Sequence, residues 1–203
     1  LDLIPGLGIV SAGNVGSVLL FGSRSLESMR DIALPSDSST SQALLRWIMK
    51  SRGLDCKYIE LGPDIDGMLS NCDGALLIGD RALATARAHP ELVKLDLGYE
   101  WTAQTGLPMV FGVFATRKDT PIESLRKAHS DMHDQYKMFL SNDDCKLKVI
   151  RSSAKKLGFS ESRVTQYFDN EVSNYLDAEA IKGLEMFLTD VCGMKGTPTW
   201  TQL

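Results

Sequence analysis

The sequence predicts an α/β protein with two lobes and a ligand cleft between them, and three observations support this. Short apolar runs alternate with helical patterns through the first half of the chain, which is typical of a largely parallel sheet covered by helices. From about Pro121 onward the patterns are almost all helical, which indicates segments that return to the other lobe. The apolar fraction of 43% and the charged fraction of 24% are ordinary for a chain that buries a core.

The first half supplies the strands. Apolar runs predict them at residues 7–11, 17–21, 32–34, 56–61, 75–78, 94–97 and 109–114. Helical patterns lie between them at residues 26–30, 40–52, 65–71, 82–88 and 100–105. Gly53 and Gly106 follow two of these helices, as glycine commonly does at a helix C-terminus. Residues 15–113 are therefore predicted to form one complete lobe, the second along the chain.

The second half supplies helices. They are predicted at residues 122–140 and 147–157, then after an N-cap at Ser160, and finally at residues 178–192. We expect residues 1–14 to end the first lobe and form the hinge, and residues 114–203 to return to that lobe. If the first lobe is only partial, the apolar faces of the tail helices, such as Leu184, Phe187 and Leu188, are expected to have too little to cover them.

Composition disfavours several classes of function. A net charge of −4 argues against a nucleic-acid surface, because phosphate binding needs an excess of lysine and arginine. No run of about 18 apolar residues predicts a membrane span. The cysteines are scattered without a C-x-x-C pair, which favours reduced thiols and a cytoplasmic location.

Known cofactor motifs are also missing from the sequence. There is no G-x-G-x-x-G, no P-loop and no G-x-S-x-G, which disfavours nucleotide cofactors and serine-hydrolase chemistry. His129 and His133 have helical i, i+4 spacing, but no third ligand is spaced to join them, so no metal site is predicted. We therefore expect no cofactor and no metal.

A hydroxyl-rich turn is the strongest candidate binding site. The strand at residues 32–34 leads through a turn that contains Ser38, Ser39, Thr40 and Ser41 into an amphipathic helix. Free N–H groups and the positive end of the helix dipole favour an anion at such a position, and hydroxyls add donors. Simple N-capping is the alternative explanation, because serine and threonine are usual caps.

Two other segments carry candidate residues. Ser11 lies in a predicted hinge beside Gly13 and Asn14, where it either faces a ligand or belongs to an ordinary loop. Gly79 and Asp80 follow the strand at residues 75–78, and ligands bind beyond the carboxyl ends of parallel strands. Asp80 either orients a substrate hydroxyl and transfers a proton, or caps a helix that begins at Ala82.

Several segments in this order resemble the chorismate dehydratases of the futalosine route to menaquinone. The resemblance lies in residues 4–11, 15–21, 38–45, 75–83, 96–101 and 105–111, and more weakly in Tyr175-Leu176, Gly183-Leu184 and Phe187. It implies a type II periplasmic-binding-protein-like fold that removes water from chorismate to give 3-[(1-carboxyvinyl)oxy]benzoate. It further implies hydrogen bonds to the substrate carboxylates from Ser11, Ser38, Thr40 and Ser41, with Asp80 near the ring hydroxyl.

The sequence departs from this family in two places. An N-terminal stretch of roughly 80 residues, about half of an ordinary domain, has no counterpart. We therefore expect a partial first lobe, and the family's catalytic Asn in a Tyr-x-Asn motif has no position here. Asp37 in the hydroxyl turn is expected to repel an anionic substrate, so that Asp37→Ser would tighten binding.

Two alternative functions share the fold. The sister enzyme that makes 1,4-dihydroxy-6-naphthoate usually carries Ile-His-Glu where this chain has Ile78-Gly79-Asp80, which disfavours it. A solute-binding protein for a small carboxylate, without catalysis, is the alternative from a different class. All three readings imply a small-molecule carboxylate as the partner.

Overall fold

The computed structural model describes all 203 residues, which form two β-sheets flanked by helices. The strands are β1 (Asp2–Ser11), β2 (Val18–Gly22), β3 (Asp31–Pro35), β4 (Lys57–Leu61), β5 (Gly74–Ile78), β6 (Val93–Asp96), β7 (Met109–Thr116) and β8 (Ser173–Leu176). The helices are α1 (Ser39–Ser51), α2 (Ile65–Asn71), α3 (Gly79–Ala88), α4 (Leu97–Thr105), α5 (Ile122–Ser141), α6 (Asp143–Leu157), α7 (Glu161–Gln166) and α8 (Ala178–Met186). None of the helices is long and apolar enough to cross a membrane.

The larger lobe is built on a five-stranded sheet in the order β4-β3-β5-β2-β6. β3 pairs in parallel with β4 and β5, whereas β2 runs antiparallel to both β5 and β6. Four of the five strands therefore run in the same direction and β2 alone is reversed, so the sheet is mostly parallel, as expected. β2 enters this sheet directly from the other lobe, so it approaches from the opposite end to the strands that follow helices.

Burial on both faces explains this sheet. All five residues of β2 are buried, and they alternate between the two sides of the sheet. Leu20 packs with Leu34, Leu44 and Trp101 below α1 and α4. Phe21, on the opposite side, packs with the core beside α2 and α3. Removing such surface from water stabilises the lobe by about 25 cal/mol per Å².

The smaller lobe is a three-stranded antiparallel sheet in the order β7-β1-β8. β7 belongs to this sheet, so the chain leaves the larger lobe before Met109 and not at the predicted boundary 113/114. The strand β8 lies where only helices were expected. Leu184 and Phe187 are 5% and 4% exposed, which contradicts the expectation that the last helix is poorly covered.

The C-terminal segments fold back over both lobes. α7 continues into a turn of π-helix at Tyr167–Glu171, which is followed by β8 and α8. Leu184 of α8 packs on the smaller sheet, whereas Phe187 beyond it reaches the core of the larger lobe. These segments therefore carry side chains to the junction of the two sheets.

Candidate functional site

The hydroxyl-rich turn forms the N-terminus of α1, as the sequence predicts. The Ser38 hydroxyl accepts a hydrogen bond from the backbone N–H of Ser41 at 3.3 Å and donates to the Ser41 hydroxyl at 2.8 Å. Ser38 is thus the cap, and the hydroxyl hydrogen of Ser41 remains free to donate. The N–H groups of Ser39 and Thr40 lie in the first turn, where a helix has no partners for them.

The second predicted segment forms the N-terminus of α3. This helix begins at Gly79, three residues earlier than expected, so Asp80 lies in its first turn and does not cap it. Gly79 has φ +62°, a left-handed conformation that favours glycine, and its N–H donates to the carbonyl of Ser17 at 2.6 Å. No side chain caps this helix. Gly79 and Asp80 are both exposed.

An ion pair joins the two helix starts. Asp37 and the guanidinium of Arg81 are in direct contact, and both side chains are partly exposed. β3 and β5 are adjacent parallel strands, so α1 and α3 begin at the same edge of the sheet. The guanidinium of Arg81 offsets part of the charge of Asp37, and the expected repulsion of an anion by Asp37 stays a prediction. The two predicted segments are therefore brought together.

A cavity of about 170 Å³ lies between the start of α3 and the tail segments. Gly79 and Asp80 form one side, and Arg163 and Tyr167 form the other. The hydroxyls of Tyr167 and Ser17 are hydrogen-bonded at 3.2 Å, so the tail contacts the residue directly before β2. Burial raises the pKa of Tyr167 above its ordinary value of 10.0, so the phenol stays protonated at neutral pH.

The segment that crosses between the lobes is organised by Asp96, which sequence reasoning did not select. Its carboxylate accepts hydrogen bonds from the backbone N–H groups of Val15 and Gly16 at 2.8–3.1 Å, and it also caps α4 through Gly98 and Tyr99. An aspartate directly before a helix can be recognised in the sequence as a cap. Its hydrogen bonds with Val15 and Gly16, about 80 positions earlier, cannot be predicted from such a local pattern.

Ser11 lies in the same crossover. Its side chain is 2% exposed, and its hydroxyl donates to the carbonyls of Gly13 at 2.9 Å and Asn14 at 3.1 Å. The hydroxyl hydrogen is thus engaged within the turn. A Cβ at Gly98 would lie 2.7 Å from the Gly13 carbonyl oxygen, so α4 approaches this turn closely. Ser11 stabilises the crossover in this arrangement and does not offer a hydrogen to a ligand.

A further prediction concerns metal ligands. No group of three or more histidine, cysteine or acidic side chains is placed to bind a metal ion. His129 instead makes a 3.0 Å hydrogen bond with the carbonyl of Pro5, and His133 lies against Tyr175. Trp101 is fully buried and donates to the carbonyl of Pro108 at 3.2 Å, so its indole is part of the core.

A larger hollow, about 480 Å³, lies elsewhere, between the sheet of the smaller lobe and the helices α5 and α6. Its wall is mainly apolar and contains Phe114, Tyr136 and Phe139, but none of the predicted site residues. It contains no lysine or arginine to attract a carboxylate. We therefore place the candidate site at the two helix starts, although the cavity there is smaller.

Solved structures identify the class of fold. A crystal structure of an Archaeoglobus fulgidus protein aligns with a TM-score of 0.67 and 18% identity, covering 95% of this chain and 72% of that one. An ABC transporter protein from Parabacteroides distasonis aligns with a TM-score of 0.57 and 15% identity, covering 99% and 74% respectively. The chain has a two-lobed α/β fold like that of periplasmic binding proteins.

Sequence comparison then identifies the family. The profile of a family described as menaquinone biosynthesis matches residues 1–191, and the chain belongs to that family. A protein of Thermus thermophilus named chorismate dehydratase is 34% identical over 151 residues. The match covers 64% of this chain and 55% of that relative, so the chain spans about half of the relative's length. The resemblance seen in the sequence is confirmed at the level of the family.

Proposed function

We propose that this protein acts as a chorismate dehydratase in menaquinone biosynthesis. The observation that carries the proposal is the meeting of two helix N-termini, α1 and α3, at one edge of the larger sheet. Chorismate is a dianion, and helix N-termini attract carboxylates. The family membership and the Thermus thermophilus relative support the same reaction.

The reaction itself makes modest demands on the protein. Loss of the C3 hydrogen and the C4 hydroxyl as water aromatises the ring and gives 3-[(1-carboxyvinyl)oxy]benzoate. Aromatisation supplies the driving force, so the site mainly binds the carboxylates, orients the C3–H bond and assists proton transfer. In our proposal the backbone N–H groups of Ser39 and Thr40, together with the hydroxyls of Thr40 and Ser41, bind one carboxylate.

Asp80 is the proposed proton-transfer group. It lies in the first turn of α3 beside the cavity and close enough to Tyr167 to influence that phenol electrostatically. The residue is exposed, so a substrate entering between the two helix starts can reach its carboxylate. Gly79 next to it gives the substrate close access to the backbone, since a side chain there would be strained at φ +62°.

A solute-binding function is the second candidate, and the fold itself favours it. One of the aligned structures is described as an ABC transporter protein. In that case a carboxylate would bind at the same helix starts without being converted. The four free cysteines favour the biosynthetic reading, since we infer a reducing cytoplasmic location from unpaired thiols.

A product assay separates these candidates. The protein is incubated with chorismate, and both chorismate and 3-[(1-carboxyvinyl)oxy]benzoate are quantified by chromatography. We expect equimolar conversion, and a rate about 10²- to 10⁴-fold lower for Asp80→Asn if that group transfers the proton. Asp66→Asn is the matched control, because Asp66 is an exposed acid in the first turn of α2.

The outcomes are distinct. Chorismate binding without product would favour the solute-binding function. Failure both to bind and to convert chorismate would overturn the proposal. If the protein converts chorismate and Asp80→Asn does not change the rate, the dehydratase activity is supported and the role of Asp80 is rejected.

A further inference from the structure

The cavity between the start of α3 and the tail segments has a cation in its wall whose hydrogen bonding is incomplete. Arg163 lies in its wall, and Nη2 of this residue donates to the carboxylate of Glu171 at 2.8 Å. The other terminal nitrogen, Nη1, is buried and has no hydrogen-bond partner. An unpaired buried donor is unfavourable, and more so when the group is charged. Such a group in a cavity wall is therefore suited to an incoming acceptor.

The Arg163–Glu171 pair is fixed in position by the hinge. Glu171 is 8% exposed and accepts a second hydrogen bond from Gln166 at 3.3 Å. A Cβ at Gly16 would lie 2.2 Å from Glu171 Oε2, so the pair packs directly on the crossover between the lobes. A guanidinium can bind two carboxylates through its separate N–H groups, and Glu171 occupies only one side.

The opposite wall adds further donors. α3 has no side-chain cap, and Gly79 donates its own N–H to Ser17, which leaves the N–H groups of Asp80 and Arg81 in an uncapped first turn. The Tyr167 hydroxyl lies on the Arg163 side of the same cavity. The cavity thus combines a cation, a phenol and the start of α3. Arg81, in the same first turn of α3, contacts Asp37 just before α1, so the two helix starts are close to each other.

We propose that this cavity binds the second carboxylate of a dicarboxylate substrate, with Arg163 as the residue that selects for it. The proposal rests on the proposed function in one respect, namely that the substrate has two carboxylates. The α1 turn then binds one carboxylate and Arg163 binds the other, with Asp80 lying between them.

Binding requires a small movement of the guanidinium. Nη1 is out of contact with solvent, but the Arg163 side chain as a whole is 31% exposed. A change in the side-chain torsions of Arg163 is therefore needed to turn Nη1 toward the cavity. The phenol of Tyr167, already hydrogen-bonded to Ser17, limits how far the ligand can enter.

The test compares two probes by calorimetry. The dicarboxylate probe is 3-[(1-carboxyvinyl)oxy]benzoate, and the monocarboxylate probe is benzoate. The unaltered protein should bind the dicarboxylate more tightly than benzoate. In Arg163→Gln this advantage should fall about tenfold or more, since hydrogen bonds to charged groups contribute roughly 1.5–3 kcal/mol. Arg163→Lys should retain part of the advantage, because it keeps the charge without the fork.

A purely structural role for Arg163 predicts a different result. Arg163→Gln leaves Glu171 uncompensated, so the melting temperature is measured as well, and the double variant Arg163→Gln/Glu171→Gln removes that charge. If the advantage for the dicarboxylate is unchanged in the double variant, the proposal is overturned. Equal affinity of the unaltered protein for the two probes also overturns it. If the unaltered protein does not convert chorismate but the Arg163 variants still lose the preference for the dicarboxylate, this proposal stands and only the proposed dehydratase activity is rejected.

Discussion

At the scale of single residues, polar groups at the crossover determine how the two lobes meet. The Asp96 carboxylate accepts from backbone N–H groups on both sides of the junction, at Val15 and Gly16 and at the start of α4. Ser17 adds a second tie, through Gly79 on one side and Tyr167 on the other. These contacts fix the start of α3 and the start of α4 against the crossover.

Replacement of Asp96 by asparagine should destabilise the protein. An amide replaces one acceptor oxygen by a donor, which would then face N–H groups of the crossover or of α4. We expect the free energy of unfolding to fall by about 2–4 kcal/mol, measured by urea denaturation. Asp64→Asn is the control, because Asp64 caps α2 through Gly67 alone and asparagine caps equally well. Equal stability of the two variants would show that the crossover contacts contribute little.

At the scale of elements, the sequence predicted those helices and strands whose bounds depend on residues within the segment itself. α2 was predicted at residues 65–71 and spans Ile65–Asn71, because its Asp64 cap and apolar spacing act within the segment. β8 was missed because Ser173, Asn174 and Tyr175 carry no apolar alternation. It is a strand only through its pairing with β1, which lies more than 160 residues earlier. The start of α3 was misplaced for a similar reason, since Gly79 is fixed by Ser17.

The helix α5 differs from the others in its burial. It has 20 residues, none of which is buried, whereas α1 buries five of its 13. Protection from hydrogen exchange follows the free energy of local opening, which is low where few apolar contacts exist. We expect amides in the middle of α5 to exchange at least tenfold faster than those around Leu44 and Leu45, measured by mass spectrometry. Equal protection would mean that α5 opens only with the whole molecule.

At the scale of the whole molecule, the candidate site draws on segments far apart in the chain. The sequence predicted the α1 turn and Gly79-Asp80, because each combines a strand end with a helix start. Arg163, Tyr167 and Glu171 were not predicted, since Ser17 and Tyr167 are 150 positions apart and meet only when the tail folds back. The division into residues 1–14, 15–113 and 114–203 stays a prediction. The strand β7 spans its second boundary, between residues 113 and 114, and belongs to the smaller sheet.

The central claim is that the α1 turn binds a substrate carboxylate at the junction of the lobes. It is tested by the dissociation constant of 3-[(1-carboxyvinyl)oxy]benzoate and the melting temperature of Ser38→Ala, Thr40→Ala and Ser41→Ala. Asn142→Ala, which removes the exposed cap of α6, is the control. We predict that Thr40→Ala and Ser41→Ala weaken binding about tenfold or more, whereas Asn142→Ala only lowers stability, by about 1 kcal/mol. If all three turn variants lose stability and keep their affinity, the turn is only a helix cap and the claim is wrong.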